Sequence, residues 1–192
     1  TSTADIEAAI SQQGVYWTNT VAADRAGNAF YADISGTPNI DESLLERCQI
    51  GLPESMSYLI LLRGDDSSCE WYDDPSSQVA GTLPAQKMPR LTRTDYVSNS
   101  NDSYWLSNAD APLEGYSPVI GAERTARSLR TRAGLTQLAE LRAQKQKLAL
   151  EDLQGMLYNQ RNYGAELLLD DVLQLCEDDA ELQAVCRALQ NW

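Results

Sequence analysis

The chain has 192 residues, of which 43% are hydrophobic, and its 28 Asp and Glu against 15 Lys and Arg give a net charge of −13. This length and composition are typical of one packed domain, or of one domain with a helical appendage. The acidic balance excludes the basic footprint that nucleic-acid binding needs and disfavours anionic membrane surfaces, and no apolar run has the length of a membrane span.

The first half of the chain carries the strand signals. Thr3 is placed to cap a helix over 4–12, and two runs rich in β-branched and aromatic residues follow at 15–23 and 29–34. The turn between these runs contains glycine, which predicts a β-hairpin. Further signals predict a short capped helix, a candidate strand and a longer strand, over 41–47, 57–62 and 92–99 respectively.

From residue 123 onwards the hydrophobic residues follow helical periodicity. One apolar stripe, formed by Leu167, Leu168, Val172 and Leu175, is of the kind that normally packs into a core rather than lining a binding groove. With strands in the first half and helices in the second, the predicted fold class is α+β. The predicted helices lie at 123–132, 135–143, 150–157, 165–176 and 180–189.

Four cysteines, Cys48, Cys69, Cys176 and Cys186, form two local pairs, and none is in a CxxC pattern, which disfavours a metal site. We predict the disulfides Cys48–Cys69 and Cys176–Cys186, and therefore a periplasmic or secreted location outside the reducing cytoplasm. The alternative is four buried free thiols. Small acidic clusters leave a calcium site as an alternative to a solvated surface, but no EF-hand spacing is present, so we expect no metal and no other cofactor.

The candidate catalytic residues are few, because the chain has no histidine and so cannot hold Ser-His-Asp or Cys-His catalysis by itself. Thr1 has no initiator methionine before it, which suggests a processed or cut product, and its free α-amine could serve as the base for its own hydroxyl. Asn99 and Asn101 lie at the end of the strand predicted over 92–99 and would point to the same side of an extended chain. Amides fixed in this way can donate hydrogen bonds to a developing negative charge. The alternative interpretation is an ordinary polar turn.

Four separated runs, found in order, resemble the penicillin acylase family: WTNTVAADRAGNAFYAD at 17–33, PRL at 89–91, NSNDSYWLSN at 99–108 and GAER at 121–124. The likeness extends to the acyl-homoserine-lactone and aculeacin type of acylase and covers most of the chain. Members of this family are N-terminal-nucleophile amidohydrolases with an αββα fold, made as precursors that are cut into two chains. The resemblance implies a partial αββα fold here, with 1–120 as the strand-containing part and 121–192 as the helical part of one fragment of a larger domain.

The resemblance also implies roles for individual residues. Asn101 matches the oxyanion-hole asparagine, and Arg124 matches an arginine that supports it. Trp17 and Thr18 are similar to positions near the acyl pocket, and Asn99 is given a structural role. Nothing in the chain matches the block that holds the nucleophilic serine. The chain is therefore expected to be a middle piece of the large subunit, inactive when alone.

The activity that the resemblance implies belongs to the whole protein. It is the hydrolysis of the amide bond of N-acylated small molecules, such as acyl-homoserine lactones, penicillins or lipopeptides, through an acyl-serine whose own α-amine is the base. The expected partners are the rest of the acylase and the substrate, with neither nucleic acid nor membrane. Severed strand edges predict self-association of the piece. Two alternatives of other classes are a non-catalytic exported binding or scaffold domain and hydrolysis by Thr1 itself.

Overall fold

The computed structural model describes residues 1–15, 17–145, 147–176 and 181–190. The chain divides into two units, Thr1–Ala126 and Arg127–Trp192, and all three strands lie in the first. This mixture of helix and strand agrees with the α+β prediction, while the membership of both parts in one larger domain stays a prediction. In chain order the helices and strands are α1 (Thr3–Ile10), β1 (Thr20–Ala23), β2 (Ala29–Ala32), α2 (Glu42–Cys48), β3 (Arg90–Arg93), α3 (Leu129–Gln144), α4 (Leu150–Tyr158), α5 (Tyr163–Leu175) and α6 (Gln183–Gln190).

A three-stranded antiparallel sheet in the order β1-β2-β3 forms the centre of the first unit. β1 and β2 make the predicted hairpin, in the register that places Thr20 opposite Ala32. Asp24 closes its turn, because its Oδ1 accepts hydrogen bonds from the backbone N–H of Ala26 at 2.9 Å and of Asn28 at 3.1 Å. Strand β3 pairs with the other edge of β2, so β2 is the central strand. The main hydrophobic core is built on β2, with α1 packed against it, and its buried members are Phe30, Ala32, Ile34, Leu83, Ala85 and Met88.

Helix α1 begins one residue earlier than the sequence predicts. Ser2 is its N-cap and forms a capping box with Asp5, in which the Asp5 N–H donates to Ser2 Oγ at 3.3 Å and the Ser2 N–H donates to Asp5 Oδ2 at 2.7 Å. The prediction that Thr3 is the cap is wrong. Thr3 is buried, and its N–H and hydroxyl both donate to Asp24 Oδ2, which ties the helix to the hairpin turn.

A second, smaller core surrounds helix α2. Asp41 caps this helix by accepting a hydrogen bond from the Leu44 N–H at 2.8 Å, so the capped helix predicted over 41–47 is present but begins one residue later. Cys48, at the end of α2, pairs with Cys69 at a Cα separation of 5.6 Å, in the predicted pairing. The buried members of this core are Ile40, Leu44, Cys48 and Cys69.

Two predicted strands differ from the structure. Residues 57–62 do not form a strand: Leu62 makes an isolated bridge with Gln49, and the apolar run 59–61 is 41–47% exposed throughout rather than alternating between a buried and an exposed face. The strand predicted over 92–99 is β3, which ends at Arg93. It ends there because Asp95 accepts two hydrogen bonds from the Arg93 guanidinium, at 2.9 and 2.8 Å, and one from the next backbone N–H at 2.8 Å, which turns the chain away from the sheet.

The second unit consists of helices. Ser128 caps α3 by accepting a hydrogen bond from the Thr131 N–H, so the helix begins at Leu129. The prediction of two helices over 123–132 and 135–143 is therefore wrong: one helix covers 129–132 of the first and all of the second. Helices α3 and α5 are joined by Arg161, which donates to carboxylate oxygens of Glu140 and Glu166.

The end of the chain is only partly described. Cys176 and Cys186 are paired at a Cα separation of 6.0 Å, as predicted, which links α5 to α6. Part of the helix predicted over 180–189, and the acidic cluster at 177–179, lie outside the described residues. The prediction that the α5 stripe packs into a core is wrong for this chain, because the described residues cover only the other side of the helix. Its members are 39–70% exposed: Leu167, Leu168, Val172 and Leu175.

The described residues hold neither a helix that could cross a membrane nor a cluster of metal-ligating side chains. No helix within them combines the length and the apolar character needed to cross a membrane. Across the same ranges, no three histidine, cysteine, aspartate or glutamate side chains converge closely enough to hold a metal ion.

Candidate functional site

Asn101 lies in a turn that Asn99 closes, eight residues beyond the end of β3. The Asn99 Nδ2 donates to the Asp102 carbonyl oxygen at 2.9 Å, and the Asp102 N–H donates to Asn99 Oδ1 at 3.4 Å. The expectation that Asn99 and Asn101 point to the same side of an extended strand is therefore wrong. Asn99 uses its side chain to hold the turn, whereas Asn101 is exposed.

The backbone of Asn101 is in the left-handed region, with φ of +52°, and so is that of Arg124, with φ of +53°. Within the described ranges, Gln13 and Gln160 are the other non-glycine residues in this conformation. Asparagine visits this region at small cost, but for arginine it is uncommon. In arginine this conformation costs about 1–3 kcal/mol, so the contacts around Arg124 must maintain it. The oxyanion-hole candidate Asn101 and its supporting arginine thus share a left-handed backbone.

A set of hydrogen bonds to Glu123 holds the chain that follows Asn101. Tyr104 is fully buried, and its hydroxyl donates to Glu123 Oε1 at 2.6 Å. The same oxygen accepts hydrogen bonds from the backbone N–H groups of Gly115 at 2.9 Å and Tyr116 at 3.2 Å. Burial raises the pKa of Glu123, but these three hydrogen bonds outweigh it and hold the pKa below its ordinary value. Glu123 is therefore an ionised anchor between two loops.

A second carboxylate, Glu114, binds Arg124. Its Oε1 accepts from Arg124 Nε at 3.0 Å and from the Trp105 indole Nε1 at 3.0 Å, and its Oε2 accepts from Arg124 Nη2. The hydrogen bonds from Arg124 and Trp105 lower the pKa of Glu114 to about 2. Arg124 is thus connected through Glu114 to Trp105, four residues beyond Asn101. The resemblance assigns Arg124 a role in supporting Asn101. The shared carboxylate of Glu114 is the contact by which Arg124 is linked to the segment that carries Asn101.

Gly121 packs against the same segment. A Cβ placed on Gly121 would lie 2.9 Å from the Ser103 Oγ, 3.2 Å from its Cβ and 3.4 Å from its Cα. Ser103 in turn caps the short 3₁₀ turn Tyr104–Leu106 by accepting a hydrogen bond from the Trp105 N–H. Within the GAER run at 121–124, Gly121 and Glu123 therefore contact the chain next to Asn101 directly, and Arg124 is connected to it through Glu114.

Trp17 and Thr18, the predicted substrate-binding residues, lie before β1 rather than in it. Trp17 is 80% exposed and Thr18 is exposed, so neither belongs to the core of the described chain. Their neighbour Asn19 accepts a hydrogen bond from the hydroxyl of Tyr31 on β2. Burial is the main cause that raises the pKa of Tyr31, while a hydrogen bond with the Asn99 side chain lowers it. The Tyr31 hydroxyl therefore lies beside both the 17–19 segment and the turn that carries Asn101.

Three residues of this site were missed by reasoning from the sequence: Tyr31, Glu114 and Glu123. Tyr31 and Glu123 fall within runs that carry the family resemblance, which was the one available signal. Their roles depend on contacts across long sequence separations, which composition and periodicity do not report.

Asp33, two residues after Tyr31, is half-buried. Burial raises its pKa even though the Ser35 hydroxyl donates to it at 2.7 Å.

The second unit has a cleft of its own, with a volume of about 290 Å³. It lies between α3 and α4, and Met156 and several polar groups line it. Two of its carboxylates are already ion-paired, Glu140 with Arg161 and Asp152 with Lys145. Because these charges satisfy one another, the cleft is a weaker candidate for function than the Asn101 segment.

Comparison with known proteins defines the class. The penicillin amidase family matches residues 1–192, so this chain belongs to that family. The resemblance stated from the four sequence runs is thereby confirmed. Among its relatives, the acyl-homoserine lactone acylase PvdQ of Pseudomonas putida is 37% identical over 193 residues, which cover 100% of this chain and 24% of that protein.

Two further relatives give the same result. The acyl-homoserine lactone acylase PvdQ of Pseudomonas syringae pv. syringae is 38% identical over 185 residues, 94% of this chain and 23% of the relative. The aculeacin-A acylase of Actinoplanes utahensis is 37% identical over 201 residues, 92% of this chain and 25% of the relative. This chain therefore spans about a quarter of the length of the relatives it matches.

Proposed function

We propose that this chain is the part of an acylase that supplies an oxyanion-hole side chain, the Asn101 amide, for hydrolysis of the amide bond of N-acylated small molecules. The observation that carries the proposal is the environment of Asn101. It sits in a turn with a left-handed backbone, next to a segment anchored by Glu114 and Glu123, within a chain of the penicillin amidase family. A fixed amide donor is what a developing oxyanion requires.

The reaction is linear-amide hydrolysis in two steps, with the nucleophile in a part of the protein outside this chain. A serine Oγ bonds to the substrate carbonyl carbon while the serine's own α-amine takes its proton, and the carbonyl oxygen becomes an oxyanion to which Asn101 Nδ2 donates. The C–N bond then breaks, and the proton passes to the leaving amine. Water repeats the sequence on the acyl-serine, releasing the acid and restoring the serine.

The proposal also includes the fold, the acyl pocket, the location and the substrates. The three-stranded sheet and its helices belong to an αββα N-terminal-nucleophile fold, and Trp17 with Thr18 borders the acyl pocket. The two cysteine pairs support a periplasmic or secreted location. Substrates belong to the chemistry for which the relatives and the family are named: acyl-homoserine lactones, aculeacin-type lipopeptides or penicillins.

The remainder of the acylase is the proposed partner of the helical unit. Helix α4 exposes apolar residues that a stable monomeric domain would normally cover, with Leu150 65%, Leu157 73% and Tyr158 74% exposed. The relatives are about four times longer than this chain, so enough polypeptide exists to cover such a surface. The isolated chain is expected to be inactive and to self-associate through these faces.

The test is an amine-release assay on the full-length protein. It is incubated with an acyl-homoserine lactone, a penicillin and an aculeacin-type lipopeptide, and the freed primary amine is measured with fluorescamine, with each substrate incubated without the protein as the control for background. We expect release from at least one substrate, together with a covalent acyl adduct seen by mass spectrometry. A protein that folds but releases no amine from any of the three would instead support a non-catalytic binding or scaffold role.

A further inference from the structure

We infer that Glu123 is a positioning residue, which holds the Asn101 amide in its catalytic orientation through Tyr104. The inference rests on the proposed function, since it concerns the donor that Asn101 supplies. Glu123 itself does not touch the substrate. It acts by fixing the chain on the C-terminal side of Asn101.

The contacts run from Glu123 to Asn101 in two short steps. The first is the hydrogen bond of 2.6 Å from the Tyr104 hydroxyl to Glu123 Oε1. The second is the backbone itself, because Tyr104 opens the 3₁₀ turn Tyr104–Leu106, three residues after Asn101. The Tyr104 ring is fully buried and packs edge-on against Tyr116 with 5.2 Å between ring centroids. Tyr104 therefore cannot turn away without giving up both its ring packing and its hydroxyl partner.

The other contacts of Glu123 make it a rigid support rather than a movable one. The backbone N–H groups of Gly115 and Tyr116 donate to the same oxygen, so the carboxylate position is set by two main-chain groups as well as by Tyr104. A carboxylate that accepts several hydrogen bonds keeps its charge and forms stronger bonds than a neutral acceptor. Two residues before Glu123, Gly121 lies against Ser103. Residues 121–123 therefore contact the segment that follows Asn101 at two points, Ser103 and Tyr104.

This arrangement matters because an oxyanion donor is effective only where its position is fixed beforehand. A misplacement of about 1 Å at a reacting centre can lower the rate about 100-fold. Asn101 lies in a turn directly before the anchored segment, so the direction of its amide depends on the contacts that hold that segment. Loss of the Glu123 anchor should therefore lower kcat while leaving KM nearly unchanged, since the oxyanion exists only in the transition state.

The experiment is a double-mutant cycle in the full-length acylase, with kcat and KM measured by amine release. Tyr104→Phe removes only the hydroxyl and is expected to lower kcat about 10-fold. Glu123→Ala is expected to lower it further, and Glu123→Gln, which keeps an acceptor oxygen, should retain more activity than Glu123→Ala. Glu46→Ala, an exposed glutamate on α2, is the matched control and should keep wild-type kcat. Tyr104→Phe is the variant that stays informative if Glu123→Ala does not fold.

The Asn101→Ala background decides the inference. If Glu123 and Tyr104 act through Asn101, Tyr104→Phe should change kcat by less than about two-fold once Asn101 is already alanine, because the two losses are coupled. The positioning role would be overturned if Tyr104→Phe lowered kcat by the same factor in the Asn101→Ala background as in the wild type. A Tyr104→Phe enzyme with wild-type kcat would overturn it as well. Either result would leave the Asn101 proposal intact. An Asn101→Ala enzyme with wild-type kcat would instead remove the proposed function, and the positioning role with it.

Discussion

Gly121→Ala should damage the segment that carries Asn101, although it adds only one methyl group. Favourable contacts between carbon atoms lie at about 3.5–4.0 Å, whereas the new Cβ would stand 3.2 Å from the Ser103 Cβ and 3.4 Å from its Cα. The Ser103 Oγ, at 2.9 Å, has little freedom to move aside because it also caps the Trp105 N–H. The chain at Ser103 must therefore shift by a few tenths of an ångström.

The size of the effect follows from two opposing contributions. Overpacking of this kind costs about 1–3 kcal/mol, and replacing glycine by alanine recovers about 0.4–1 kcal/mol by restricting the unfolded chain. We expect a net loss of about 1–2 kcal/mol in the free energy of unfolding of this segment. Because Asn101 lies two residues from Ser103, kcat should fall as well, by up to about 100-fold.

The assay compares Gly121→Ala with Gly51→Ala in the full-length acylase. Gly51 is the matched control, because a Cβ there meets nothing within 4 Å and its backbone is not left-handed. Urea unfolding midpoints and kcat for amine release are measured for both variants. The reasoning is refuted if the two variants unfold at the same urea concentration and turn over substrate at the same rate.

The remaining predictions concern the hairpin turn and the first cysteine pair. Hydrogen bonds from Asn28 are the main cause that holds the pKa of Asp24 far below its ordinary value, so the stabilisation is present above about pH 4 and is lost as the pH falls toward the folded-state pKa. Asp24→Asn should therefore lower the thermal unfolding midpoint at pH 7, and its midpoint should converge with that of the wild type below about pH 4; a constant difference down to pH 2 would contradict this. The double substitution Cys48→Ser with Cys69→Ser should lower the free energy of unfolding by about 3 kcal/mol, since the bridge closes a loop of 21 residues. Urea unfolding with and without a reductant checks this. A wild-type unfolding midpoint that is the same with and without the reductant would count against it.

The local parts of the fold could be predicted from the sequence because neighbouring residues determine them. The hairpin follows from a turn that Asp24 closes with its own neighbours, and α2 begins where Asp41 caps it. The extent of β3 could not be predicted in this way. Its apolar and β-branched run continues past Arg93, but the pairing of Arg93 with Asp95 bends the chain there. A strand propensity carries no information about such a competing ion pair.

The candidate site was only partly accessible from the sequence. The residue types at 99–101 are compatible either with an ordinary polar turn or with fixed hydrogen-bond donors. Only the family resemblance singled out Asn101 and Arg124. The structure adds how these residues are held. Glu123 reaches Tyr104 across 19 positions, and Glu114 reaches Arg124 across 10, so both contacts depend on how separate loops fold together.

The most direct test of the central claim is the kcat of the full-length acylase with Asn101→Ala, measured beside Asn99→Ala and the wild type. Removal of one oxyanion-hole donor typically lowers kcat about 100- to 1000-fold. We predict a loss of this size for Asn101→Ala, with KM changed by only a few-fold and the free energy of unfolding lowered by only about 1 kcal/mol, the cost of alanine in a left-handed backbone. Asn99→Ala, which opens the turn, should lower the unfolding midpoint as well as kcat. A wild-type kcat in the Asn101→Ala enzyme would contradict the assignment of Asn101 as the oxyanion donor.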